Sequence, residues 1–286
     1  MPRLFCFGLG YSAQVLAARA AASGFAVAGT MRNAEAAESL RRQGYQVYLF
    51  ERGRQLPAGA LDGTTHLLSS VPPDSAGDPV VDETGQDLRR IHGLLWAGYL
   101  STTGVYGDRG GETVDETTPP APTTERGARR LAAERAWAAL GLPLHIFRLP
   151  GIYGPGRSAV DQIRAGTARA VVKPGHVFSR IHVADIANVL LASMAHPDPG
   201  AVYNVCDDEA APPAEVLDHA ARLLGLPPLP RIDFAEANLS PMAQSFWSES
   251  KRVSNRRLHA ELGVTLAYPT YREGLAAIAA GQGGVP

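Results

Sequence analysis

With 286 residues the chain can bury a large core, and its 27 basic and 28 acidic side chains leave a net charge of −1, so no broad positive field exists to wrap a nucleic acid. The two cysteines, Cys6 and Cys206, are distant and in apolar surroundings, as buried thiols of a reducing cytoplasm are, which argues against a disulfide framework or a metal site. No apolar run reaches the length of a membrane span and the first residues lack the apolar core of a signal peptide, so a cytoplasmic protein free of the membrane is expected.

In chain order, short β-branched or aromatic runs alternate with Ala/Leu/Arg segments of helical period. Strands are expected near 3–8, 25–30, 45–50, 66–71, 97–102, 144–149 and 201–205, and helices over 11–23, 34–43, 81–95, 126–140, 183–195 and 212–224. The Pro-rich piece 117–122 and the stretch 226–245, with few periodic apolar residues, read as loops. No internal repeat of 20 to 50 residues is visible, which excludes a solenoid. Alternation of this kind belongs to βαβ units, and the predicted fold is α/β with a doubly wound parallel sheet.

The first strand and helix enclose "LFCFGLGYSAQVLAARAAASG", in which Gly8, Gly10 and Ala13 form Gly-x-Gly-x-x-Ala. Small residues there let backbone amides and a helix N-terminus approach a pyrophosphate, the Rossmann-type arrangement for a dinucleotide. The same residues also suit a tight turn without ligand. The second strand ends in Arg32, where NAD-binding chains carry an acidic residue for the ribose hydroxyls. An arginine can pair with a 2′-phosphate, which favours NADP over NAD; the alternative is an arginine touching only solvent.

Further on, "YLSTTGVYGDRGGETVDE" places Ser101, Thr102 and Thr103 at the end of the fifth strand, where a sheet's carboxyl ends face the ligand crevice. "FRLPGIYGPGR" follows the next strand, and "SRIHVADIANVLLASM" opens a helix after a loop. With the Gly-rich turn, these segments resemble the extended and atypical short-chain dehydrogenase/reductases, the NAD(P)-dependent epimerase/dehydratase family. "YNVCDD" and "LGVTLAYPTYREGL" look like that family's closing segments. The resemblance implies an NAD(P)-binding domain over 1–154 and about 180–206, with a smaller substrate-binding lobe from about 155–179 and 207–286. It also implies that Gly8, Gly10, Tyr11, Ser12 and Ala13 form the pyrophosphate turn, and that Ser70, Val71 and Pro72 lie near the cofactor ribose. Ser101 would border the cofactor too, Pro150, Gly151 and Ile152 would meet the nicotinamide carboxamide, and Thr102 would hydrogen-bond a substrate oxygen. A homodimer is a further implication of the resemblance.

The family's acid/base pair is a Tyr followed four residues later by Lys, a spacing that puts both on one helix face so that the ammonium stabilises a phenolate. Aligning "TTERGARRLAAERAW" by its Ala133-Glu134 puts Arg126 and Arg130 at those positions, and no Tyr-x-x-x-Lys occurs in the chain. Guanidinium stays charged, so Arg126 cannot handle that proton. Two arginines on one face either hold a small anionic substrate or form a solvated surface with Arg130 paired to Glu134. Tyr106 and Tyr153 are candidates for a displaced acid, and Arg180, in the loop before a helix, for a substrate anion. His182 and Asp185 suit capping and packing better than chemistry. Two functions remain open: an NADP-dependent oxidoreductase or epimerase-like enzyme lacking the usual pair, and an NADPH-binding redox sensor without turnover.

Overall fold

The computed structural model describes residues 1–282. Seven parallel strands form the central sheet: β1 (Arg3–Phe7), β2 (Ala26–Met31), β3 (Gln46–Leu49), β4 (His66–Ser69), β5 (Trp96–Thr102), β6 (Leu144–Leu149) and β7 (Val202–Asn204). Their spatial order is β7-β6-β5-β4-β1-β2-β3, so the chain reverses direction across the sheet between β1 and β4, at the end where Gly8 and Ser70 emerge. All pairings are parallel, and the inner strands are buried on both faces, which is why they read as continuous apolar runs.

Helices cover both faces. On one side α1 (Tyr11–Ala22), α2 (Ala34–Arg42) and a later helix, Val183–Ala195, bury Ala13, Leu16, Leu40, Ile186 and Leu190 against the sheet. On the other, α3 (Pro79–Arg89) and α4 (Glu125–Ala138) bury Val80, Leu88, Ala133 and Trp137 beside Phe5, Phe7 and Tyr99. The third helix starts two residues earlier than expected because Asp78 caps it, its carboxylate accepting from the Val80 and Val81 amides, and it stops at Arg89 before a turn with Gly93 at φ +79°.

The remaining chain packs as α5 (Ala159–Arg164), α6 (the helix Val183–Ala195), α7 (Pro213–Leu223), α8 (Pro241–Trp247), α9 (Arg256–Leu262) and α10 (Tyr271–Ala279), joined by short parallel strand pairs. The stretch 226–245, read above as a loop, contains the strand Arg231–Asp233, paired with Ala170–Val172, and the start of α8. Its apolar residues lack a local period because each meets a distant partner: Ile232, Phe234 and Leu239 pack with Val171 and Trp247. Leu258, Leu262, Val264 and Leu266 join the sheet core against α6 and β7. Among the described residues no helix is long and apolar enough to cross a membrane.

Candidate functional site

The turn after β1 keeps the geometry that its glycines suggest. Gly8 has φ +80°, a conformation that favours glycine, and its backbone passes so close to the Ser70 hydroxyl that a Cβ would fall 2.9 Å from it. Ser70 donates to the Gly8 carbonyl at 2.6 Å, which ties the end of β4 to the turn. Gly10 caps α1 without any side-chain partner, and a Cβ on it would meet nothing within 4 Å. Open space over uncapped helix-start amides fits a phosphate group. Val71 borders the same turn, within 3.2 Å of a Gly8 Cβ. Tyr11 turns to the other side, its hydroxyl donating to the Pro155 carbonyl at 3.0 Å. Arg32, exposed beyond β2, makes no hydrogen bond or ion pair with another described residue.

A cavity of about 400 Å³ opens beyond the carboxyl ends of β5 and β6. Thr102, Arg126, Pro150, Gly151 and Arg180, drawn from four separate sequence segments, all line it. The Thr102 hydroxyl accepts from the Gly104 amide at 3.2 Å and so caps the short turn Thr103–Tyr106. That turn is pressed against α4 at Gly127, where a Cβ would lie 2.6 Å from the Gly104 carbonyl oxygen. Only glycine lets the helix approach so closely, and this contact sets Arg126 at the cavity rim. The Arg126 guanidinium lies over the Phe246 ring, 4.5 Å from its centre, and forms no ion pair among the described residues, with Glu249 its nearest counter-charge acting at longer range. Desolvation, then repulsion from Arg130, lowers its pKa, which for an arginine still leaves it cationic.

Arg180 lines the same cavity and an adjoining one of about 310 Å³. One of its nitrogens donates to the Phe178 and Ala211 carbonyls at 2.8 and 3.0 Å. Its charge faces Asp207, whose two carboxylate oxygens are buried without a well-formed hydrogen bond. Burial pushes Asp207 up to about 8; Arg180 and the Glu209 amide oppose this, while Asp208 and Glu209 add to it.

Sequence reasoning missed Glu249 and Lys251 in the cavity wall. The Lys251 ammonium donates to Glu249 at 2.7 Å and to the Gly107 carbonyl at 2.6 Å, while the other Glu249 oxygen accepts from Thr123 and Thr124 at 3.2 Å. This pair is joined to Gly107 across 144 residues, and no local pattern could have announced it.

Several expected site residues are placed elsewhere. Tyr106 is buried in the interior rather than on the cavity: its hydroxyl donates to Asn204 at 2.8 Å and accepts from Arg148 at 3.0 Å. Tyr153 lines only the adjoining cavity, reaching toward the Thr270 carbonyl at 3.4 Å, and burial drives its hydroxyl well above the ordinary tyrosine range, so neither hydroxyl is poised as an acid near neutral pH. Ile152 also lies on that second cavity. The Ser101 hydroxyl is buried and donates to Glu134. Arg130 is a brace: it donates to the Leu100 carbonyl at 2.7 Å and stacks on Tyr99, fixing α4 to β5. The expected Arg130–Glu134 pairing does not form, because Arg148 takes both Glu134 oxygens at 3.1 and 2.8 Å. His182 caps α6, and Asp185 accepts from the Ala267 and Tyr268 amides, so both are structural. Among the described residues no group of three or more His, Cys, Asp or Glu is placed to hold a metal.

The model described as "NAD dependent epimerase/dehydratase family" matches residues 91–206. A solved conserved protein of unknown function from Silicibacter pomeroyi DSS is 52% identical over 99% of this chain and 100% of its own, with a TM-score of 0.93. The chain belongs to the NAD-dependent epimerase/dehydratase family. Protein YeeZ of Escherichia coli K12 is 28% identical over 285 residues, 94% of this chain and 97% of YeeZ. Two more distant structures share the family fold. One is MoeE5 in complex with UDP-glucose and NAD, 20% identical over 98% of both chains with a TM-score of 0.73. The other is human epimerase family protein SDR39U1 with NADPH, 16% identical over 98% of this chain and 99% of its own, with a TM-score of 0.75. Both hold a nicotinamide dinucleotide on this fold.

Proposed function

We propose that the protein binds a nicotinamide dinucleotide on the Gly8–Gly10 turn and acts as an oxidoreductase or epimerase-like enzyme on a small anionic molecule. The observation that carries this reading is the convergence of Thr102, Arg126 and Arg180 with Pro150 and Gly151 on one cavity beyond β5 and β6. The α1 N-terminus would take the pyrophosphate, and Val71 and Pro72 would border the ribose. When bound, the cofactor supplies or accepts hydride. Thr102 would hydrogen-bond a substrate oxygen, the two arginines would fix the anion, and the proton would move to or from water or the substrate itself, since neither Tyr106 nor Tyr153 is poised to exchange it.

NADP is the cofactor this reading favours, because Arg32 stands free at the end of β2 with no acidic residue beside it in sequence. Titration of NADPH and NADH emission should show tighter NADPH binding, and Arg32→Ala should erase most of that preference, a loss of about tenfold. Tighter NADH binding in the unmodified protein sinks the assignment.

The brace made by Arg130 favours a second reading. The position where the family carries its lysine is here committed to holding α4 on β5, as suits an NADPH-binding sensor without turnover. Nicotinamide absorbance followed across a panel of nucleotide sugars, hydroxy acids and aldehydes separates the two. Turnover that drops at least a hundredfold in Thr102→Val supports the enzyme; tight NADPH binding with no reactive panel member supports the sensor.

A further inference from the structure

The cavity that gathers Thr102, Arg126 and Arg180 also carries information about the body of the molecule it takes. Its wall is mainly apolar, with Phe178, Trp247 and Val253 among the lining side chains. The Trp247 indole is buried and fixed by stacking on His176, ring centres 4.9 Å apart, by Phe234 at 5.6 Å and by the edge of Phe178 at 5.7 Å, so it offers the cavity a rigid edge. Fixed aromatic surfaces of this kind favour a planar ligand.

The polar groups in the wall are mostly committed. Glu249 and Lys251 neutralise one another at 2.7 Å, and Thr124 is taken up by Glu249 and by the Gly127 amide. The Ser179 hydroxyl accepts from the Val253 amide at 3.1 Å. What is left for a ligand is the Thr102 and Thr103 hydroxyls and positive charge at two points: Arg126, stacked on Phe246 at the rim, and the part of the Arg180 guanidinium not used by backbone carbonyls, with Asp207 behind it. A nucleotide sugar brings a base, two phosphates and a ring of hydroxyls, each needing a polar partner on desolvation. Such partners are scarce here. A carboxylate on a compact aromatic body matches both the charge and the wall, since a guanidinium at the rim can pair with the carboxylate while the ring lies against the apolar surface of Phe178, Val253 and the Trp247 edge.

We infer that the cavity selects a compact aromatic carboxylate rather than a nucleotide sugar. The inference rests on the reading of this cavity as the substrate site, but it concerns binding and does not require turnover.

Calorimetric titration of the full chain with 2-naphthoate, 2-naphthamide and UDP-glucose tests it, with NADPH binding followed separately by its emission. The expected order is naphthoate tighter than the neutral amide by about tenfold or more, with UDP-glucose weakest. Arg126→Met should remove most of the naphthoate advantage, while the same variant keeps its NADPH affinity and its melting temperature. Equal binding of naphthoate and naphthamide, tighter UDP-glucose, or an unchanged Arg126→Met variant each overturns the inference. Failure of NADPH to bind, with naphthoate captured as expected, would strike the oxidoreductase reading and leave the ligand class standing. NADPH bound tightly with naphthoate ignored does the reverse.

Discussion

Glu134→Ala should destabilise the protein by about 3–5 kcal/mol, measured by urea unfolding at neutral pH. Glu134 and Arg148 are side chains only 5% and 7% exposed, joined by two charge-assisted hydrogen bonds. The arginine also reaches Tyr106, which reaches Asn204, and the Asn204 amide donates to Glu116 at 2.7 Å. Removing the carboxylate leaves a guanidinium in the interior without its counter-charge and strips the Ser101 hydroxyl of its acceptor. The loss therefore reflects an orphaned charge, not the net worth of the pair. Replacing both partners by apolar residues of similar size, Glu134→Leu with Arg148→Met, should recover most of the loss. A Glu134→Ala variant within about 1 kcal/mol of the parent would show that Arg148 is held by something other than Glu134.

A second large effect concerns pH. Burial raises the Asp207 carboxyl from 3.8 to about 8 in the native state, against partial opposition from Arg180. A folded-state value above the unfolded one means that the unfolded chain releases this proton first as pH rises. The contribution of Asp207 to stability is thus complete below about pH 4 and declines until about pH 8, at up to ~1.4 kcal/mol per pH unit, then levels off. Asp207→Asn cannot ionise and removes that slope. The stability of Asp207→Asn relative to the parent should therefore be higher at pH 8 than at pH 5, by a few kcal/mol. A difference between the two proteins that stays constant from pH 5 to pH 8 would place the Asp207 pKa outside that window. The same ionisation supplies a counter-charge to Arg180, so anion binding at the cavity should weaken over the upper part of this range.

Local patterns carried much of the architecture. The alternation of apolar strands with Ala/Leu/Arg helices is enough for a doubly wound sheet, and the observed strand order follows that type. The Gly8–Gly10 turn was readable because its requirement is local: backbone room and an uncapped helix start. Glu134 shows what local spacing misjudges. An Arg four residues before a Glu suggests a surface pair, yet Glu134 shares the inner face of α4 with Gly127 and Trp137 and meets Arg148 on β6 instead. Its place on that face was a signal available in the helical period. The motifs around Tyr106 and Tyr153 point both rings at the crevice, but which way a ring turns after a strand end depends on partners such as Asn204 and Thr270 that lie about a hundred residues onward. Glu249 and Lys251 had no signal at all, because their role exists only through the long return of the chain to Gly107.

That return has a consequence for the order in which the molecule is made. The strands β1 to β7 are complete once residue 204 has been synthesised, whereas the cavity wall needs Phe246, Trp247, Glu249, Lys251 and Val253. A nascent chain can therefore present all seven strands and the Gly8–Gly10 turn while the neighbouring pocket still has no roof. The strand pair Thr113–Val114 with Arg252–Val253 and the Lys251 bond to Gly107 close it in a single late step that draws a loop of 144 residues together. The pocket wall is thus supplied by chain made after the last strand of the central sheet.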